Sequence, residues 1–265
     1  MFASWRDYWK FENEVRRQRR YSLTNEARRF LEGIAATCPS RVEQVPEGWR
    51  GWRAQLGHDW RYDDGAEGEV ACAFNPDRMK PLADRAHEGR VNPKGIPCLY
   101  MATTPETAMS EVRPWVGSSV SLGEFIVARP LQIVNCCKYH EKMPIFLKEP
   151  DRGEIEKAVW AYIDRAFARP VTSSDDRADY APTQIIAELF KDLGYDGLYY
   201  KSAFGEKGYN VAIFDLGAAG LVTCSLHEVT KIGYSFRQSD STYSVSNKSK
   251  RSRRKISSQT TASSG

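Results

Sequence analysis

Within 22 residues the chain places a guanidinium, a phenol and a carboxylate: Arg90 in GRVNPKGIP, Tyr100 in the apolar run LYMA, and Glu111 in TPETAMSEVRP. A strand over Pro97–Ala102 puts Cys98, Tyr100 and Ala102 on one face and Leu99 and Met101 on the other. Tyr100 can then point into a cleft while its neighbours pack a core. Thr104 as N-cap and Pro105 at the first helical position open a helix expected to run to about Arg113. Glu111 falls about two turns into it, on the side of Thr107 and Ala108. An acid there is tolerated when exposed and needs a cationic or hydroxyl partner when buried. On residue types alone two readings stand: a polar cleft, or a half-buried core tyrosine beside a surface ion-pairing glutamate.

Other kinds of chemistry find less support. The six cysteines, at 38, 72, 98, 136, 137 and 224, form no CxxC pair, and of the four histidines only His140 lies near Cys136 and Cys137. No metal site is expected, and the thiols are expected to be reduced and packed as small apolar groups. Neither a GxGxxG nor a Walker A sequence occurs, so the two common nucleotide-binding turns are missing.

The elements that must carry these residues follow from periodicity. Trp5, Tyr8, Trp9, Glu12 and Val15, then Leu23, Ala27, Phe30, Leu31 and Ile34, are spaced as two helices before Pro39. The basic run Arg16–Arg20 reads as a solvated helix face, with an acidic or nucleic-acid partner as the rarer alternative. A short strand is expected around Gly51–Leu56, then a polar, loop-rich stretch to about Gly95. Gly123–Ala128 and Leu131–Val134 read as strands. Helices are expected over Gly153–Ala168 and from Pro182 to Gly194, and paired strands over Gly197–Lys201 and Asn210–Phe214. Short strands mixed with helices argue for α+β and against a regular βαβ array. Three parts are expected: an N-terminal helical extension (1–45), a central domain (46–238), and a Ser/Thr-rich basic tail (239–265) too polar to fold.

Charge and hydropathy bound the setting. Hydrophobic residues make up 41 %, a globular value, and no apolar run approaches the roughly 18 residues of a membrane span. No secretory signal is evident, which favours the cytoplasm. The net charge of +4 is concentrated in the tail, which carries six Lys/Arg against one acid, so the body is close to neutral. The run KSKRSRRK could contact nucleic-acid phosphates; no membrane partner is expected.

The segment GRVNPKGIPCLYMATTPETAMSEVRPWVGSSVSLGEFIV resembles the opening motif of the RES-domain family, whose pattern has Arg in G-R-x-N-P-x-G-x-P, Tyr ten residues on, and Glu eleven further. Arg90, Tyr100 and Glu111 keep both spacings. LGYDGLYYKSAFGEKGYNVAIFD supplies Ser202 in the place of the family's late serine, and GWRAQLG resembles a short W-R-A element, giving Arg53. The resemblance runs from about Trp49 to Leu216.

It implies a fold similar to that of ADP-ribosyltransferases, a bent, split β-core with flanking helices and NAD⁺ in the cleft. It also implies cleavage of the nicotinamide–ribose bond by phosphorolysis or hydrolysis. NAD⁺ would be the substrate and not a cofactor, phosphate a candidate co-substrate, and a small helical antitoxin a candidate partner of a bacterial toxin. In that scheme Glu111 stabilises the oxocarbenium-like ribose, Arg90 holds the pyrophosphate, and Tyr100 stacks on nicotinamide or ribose. Ser202, with Lys201 beside it, hydrogen-bonds a phosphate, and Arg53 adds a second anion contact. Mono-ADP-ribosylation of a protein is the nearest alternative. A non-catalytic binding protein acting through the basic tail is the alternative of another class.

Overall fold

The N-terminal segment folds as helices α1 (Asp7–Arg17) and α2 (Asn25–Thr37), each burying one stripe: Tyr8, Phe11 and Val15 on the first, Ala27, Phe30 and Ile34 on the second. Thr24 caps α2 by accepting a hydrogen bond from the Ala27 amide at 3.2 Å. The buried Glu14 carboxylate accepts from the Thr24 amide at 2.9 Å and the Thr24 hydroxyl at 2.6 Å, which ties the two helices together. The basic run is not simply a solvated face. Arg16 pairs with Glu12 at 3.5 Å and with Asp179, and the Arg20 Nε donates to the Val15 carbonyl at 3.0 Å.

The computed structural model describes residues 1–82, 85–138, 146, 148–169, 177–204, 208–236 and 238. After α2 come strands β1 (Val42–Val45), β2 (Arg50–Leu56), β3 (Asp59–Asp63) and β4 (Gly68–Cys72), then the short helix α3 (Pro76–Met79). Strand β5 (Leu99–Ala102), helix α4 (Pro105–Glu111), and strands β6 (Ser119–Val127) and β7 (Leu131–Asn135) follow. Helices α5 (Arg152–Ala168) and α6 (Ala181–Asp192) lead to strands β8 (Gly197–Lys201), β9 (Tyr209–Ile213) and β10 (Ala219–Glu228).

Eight strands form one mixed sheet in the order β1-β7-β8-β9-β5-β2-β6-β10, and β3 pairs with β4 as a separate hairpin. Only β7 and β8 run parallel among the described pairs, and their crossover carries α5 and α6, as a parallel connection requires. The protein is thus α+β, with a large mixed sheet and helices. Strand β5 lies mid-sheet, between β9 and β2. Side chains alternate along it and the residue before it: Cys98 and Tyr100 join the core shared with the helices, while Leu99 and Met101 join the core with Phe125 and Ile213.

The N-terminal helices share that first core with α5 and α6. Its centre is Trp160, fully buried, whose indole N–H donates to the Thr37 hydroxyl at 2.9 Å and whose ring carries the Arg41 guanidinium 4.1 Å from its centroid. Beyond Lys231 the described residues form a separate unit, in which the Tyr234 and Phe236 rings stack at 6.3 Å. The basic tail from Ser239 lies outside the described residues, as does His140.

The differences from the sequence reading have physical causes. Strand β10 was not expected, because a register shift between Leu221 and Thr223 breaks its alternation and most of its residues are exposed. The β3–β4 hairpin falls in the stretch expected to be loop-rich; none of its residues is buried, and only Val70 and Cys72 alternate on the half-covered side of β4, too short a period to mark a strand. Helix α4 stops at Glu111, two residues earlier than expected, and Arg113 beyond it takes a left-handed φ of 49°. Among the described residues no helix is long and apolar enough to cross a membrane.

Candidate active site

Where β5 is flanked by β2 and β9, the sheet opens into a cavity of about 470 Å³. Arg53 from β2, Arg90 from the loop before β5, Tyr100 from β5, Glu111 from the end of α4, and Asn210 from β9 all line it. Arg113 stands beside Glu111 on the same wall. Four residues expected at a site, Arg53, Arg90, Tyr100 and Glu111, are thus brought together.

Glu111 is held from two strands. The Ser202 hydroxyl, at the end of β8, donates to its Oε1 at 2.6 Å, and the Asn210 side-chain amide donates to the same oxygen at 2.6 Å. Ser202 is itself 4 % exposed and accepts from the Phe204 amide at 3.0 Å. It stands behind the carboxylate and is not part of the cavity wall. Lys201 is turned away from the cavity: on β8 it is Tyr200 that lines the wall, and the Lys201 ammonium lies 4.5 Å from the centroid of Tyr209.

Tyr100 spends its hydroxyl on the protein. It accepts from the Val91 amide at 3.0 Å and donates to the Asn92 Oδ1 at 2.7 Å, leaving the ring to the cavity. Asn92, in turn, donates to the carbonyls of His87 and Ile96 at 2.9 and 2.7 Å, which shapes the GRVNP loop. A Cβ on Gly89 would lie 2.6 Å from the Tyr100 oxygen, so only glycine lets the loop close on the phenol. Burial pushes the Tyr100 phenol well above its ordinary range, so it is a neutral donor. Behind the loop, the Gln184 amide donates to the carbonyls of Gly89 and Asn92 at 2.8 and 3.1 Å.

The cavity wall carries three guanidiniums and one carboxylate. One arm of Arg90 donates to the Phe167 carbonyl at the end of α5, which fixes the fork while leaving the rest of it at the wall. Arg53 donates to the Tyr100 carbonyl at 3.3 Å, and among the described residues its buried Nε has no hydrogen-bond partner. Burial lowers the Arg53 pKa, because water is withdrawn from the cation. Such a wall attracts a polyanion. Among the described residues no group of three or more His, Cys, Asp or Glu is arranged to hold a metal ion.

A model of the RES domain matches residues 52–233. The chain belongs to the RES-domain family. Among solved structures, this RES protein is similar to the crystal structure of the M. tuberculosis MbcT–MbcA toxin–antitoxin complex. That similarity has 16 % identity and a TM-score of 0.40, over 74 % of this chain and 93 % of that one. No curated protein matches the sequence.

Several residues of this RES cavity were not singled out beforehand. Asn92, which accepts from the Tyr100 hydroxyl, sits within the GRVNP motif between Arg90 and Pro93. Asn210 is a lone amide in an otherwise apolar strand, and Tyr200 one of two adjacent tyrosines. Their roles depend on which strands become neighbours, which local periodicity does not encode.

Proposed function

We propose that this RES protein binds NAD⁺ in the cavity and breaks its nicotinamide–ribose bond. The observation that carries the reading is the single carboxylate of Glu111, doubly hydrogen-bonded on one oxygen and set in a wall of three arginines. The arginines suit a pyrophosphate, which needs planar, bidentate donors. As the C1′–N bond breaks, its electron pair goes to nicotinamide, which leaves neutral, and positive charge spreads over C1′ and the ring oxygen. A fixed carboxylate stabilises that charge and needs no reorganisation to do so. The Tyr100 ring, with its hydroxyl tied to the loop, offers a rigid face for nicotinamide or ribose.

An oxygen nucleophile completes the reaction. Attack by a phosphate oxygen gives ADP-ribose-1″-phosphate; attack by water gives ADP-ribose and releases a proton. Lys201, turned from the cavity, is not given a substrate contact in this scheme, and Ser202 acts on Glu111. The bent, split core similar to that of ADP-ribosyltransferases, and a growth-inhibiting role restrained by a small helical antitoxin, belong to the same proposal and rest on the family resemblance. Transfer to a protein side chain would use the same cavity with a different acceptor.

Incubation of the purified protein with NAD⁺, with and without phosphate, tests the reading through the masses of the products. The three acceptors give ADP-ribose-1″-phosphate, ADP-ribose or a heavier protein band. Intact NAD⁺ under every condition would sink it.

A further inference from the structure

Both hydrogen bonds to Glu111 fall on one oxygen. Ser202 Oγ and Asn210 Nδ2 each lie 2.6 Å from Oε1, and among the described residues Oε2 accepts none. A glutamate's terminal torsion is soft and broadly populated, so one donor sets a distance without setting the plane of the carboxylate. Two donors arriving from adjacent strands, β8 and β9, do set it. The asymmetry also resolves the orientation of the Asn210 amide, since only its NH₂ can face a carboxylate. Asn210 is 6 % exposed and stands in register with Ala102 on one side and Tyr200 on the other, so its own position is fixed by both neighbouring strands.

We infer that Asn210 is a positioning residue: together with Ser202 it saturates Oε1 of Glu111, which leaves Oε2 as the one oxygen offered to the substrate. This rests on the NAD⁺-cleaving reading for its consequence in turnover, but not for its geometry. The serine alone is an ambiguous holder. Its hydroxyl has one proton and two acceptors within reach, Glu111 Oε1 at 2.6 Å and the Phe204 carbonyl at 3.0 Å. When that proton turns to Phe204, Asn210 is the donor that keeps the carboxylate in place. The amide cannot be diverted in the same way, because its acceptor oxygen cannot substitute for its donor.

The test compares Asn210→Ala with Asn210→Asp. Aspartate keeps the size of asparagine but presents an oxygen to Oε1, so a donor role makes Asp the worse replacement and a packing role makes it the better one. Asn210→Ala is expected to lower kcat about 10- to 100-fold, the loss of one hydrogen bond to a charged group, with little change in KM for NAD⁺. Asn210→Asp is expected to lose more. In a Glu111→Gln background, Asn210→Ala should cost nothing further. The carboxyl-carbon resonance of Glu111 in the free protein, read by NMR, should move in both variants whether or not NAD⁺ is the substrate. Wild-type activity of Asn210→Asp, a raised KM with kcat preserved, or an unmoved resonance would each overturn the assignment. A moved resonance in a protein whose wild type leaves NAD⁺ intact would overturn the activity and keep the positioning role.

Discussion

The Ser202 hydroxyl and the Glu111 carboxylate meet at 2.6 Å across 91 residues of chain, the serine buried behind the acid and the acid at the cavity wall. The contact makes the serine an attendant of the carboxylate. Replacing Ser202 with Ala is therefore expected to remove part of the activity, and Ser202→Thr, which keeps a hydroxyl, to retain more than Ala. No ADP-ribosyl adduct should accumulate on Ser202. Intact-protein mass spectrometry during turnover reads this directly, and a trapped adduct mapped to Ser202 would make it the nucleophile.

Glu111→Gln preserves shape and the capacity to accept from Ser202 or Asn210 but removes the charge. The expected result is a folded protein whose NAD⁺ cleavage falls by on the order of 10²–10³, the usual effect of deleting an electrostatic stabiliser of the transition state. Near-normal turnover by a folded variant would remove Glu111 from the mechanism.

Arg90 is tethered through one arm to the Phe167 carbonyl, so its remaining donors are presented to the cavity in a fixed plane. Arg90→Ala should weaken NAD⁺ binding, and Arg90→Lys should restore it only in part, because an ammonium cannot make the same forked contact. Calorimetric titration with NAD⁺ or a non-cleavable analogue compares the three proteins. Equal affinity of the Lys variant and the wild type would reduce the role of Arg90 to charge alone.

Burial raises the phenols of Tyr8, Tyr100 and Tyr200 above their ordinary value. A group whose folded pKa lies above its unfolded one stabilises the fold below the unfolded pKa and loses that contribution as pH rises. Stability should accordingly decline above about pH 10, where unfolded tyrosines ionise and these three cannot. Chemical denaturation on either side of that pH measures the slope, and Tyr200→Phe should make it shallower. A slope that Tyr200→Phe leaves unaltered would count against the buried neutral phenol.

Phe11 is 2 % exposed and stacks on Phe30 at 4.7 Å, within the core that also holds Trp160. Phe11→Ala should destabilise the protein by about 3–5 kcal/mol, as large-to-small changes at packed aromatic sites do. Urea unfolding gives the value. A change below about 0.5 kcal/mol, the scale of surface substitutions, would show that α1 contributes little to the fold.

The placement of Tyr100 and Glu111 on their elements was legible from local pattern, but residue types alone left two readings open, and the grouping with Arg53 and Arg90 came from the family resemblance. Tyr100 follows from strand alternation over LYMA, and Glu111 from a helix start marked by Thr104 and Pro105. The same local logic could not assign Asn210 or Asn92, whose partners are supplied by neighbouring strands and loops. The place of Lys201 beside Ser202 came from the family resemblance, while strand alternation already separates the two. In the fold, the N-terminal helices were plain from their apolar stripes. Strand β10 and the β3–β4 hairpin were not, since the bulge of the first and the exposure of the second weaken the period on which a strand is recognised.

The order of strands in the sheet has a consequence for the newly made chain. Strand β5, which carries Tyr100, has β2 on one side, made about fifty residues earlier, and β9 on the other, made more than a hundred residues later. During synthesis the arginines and Tyr100 emerge long before Ser202 and Asn210, and a domain closed by so distant a pairing forms late. Until β9 docks, Glu111 lacks both of its donors and the cavity lacks a wall. A chain released before residue 210 therefore holds the arginines, Tyr100 and Glu111 without the amide that completes the grip on the carboxylate, and the site is assembled only after β9 has been made.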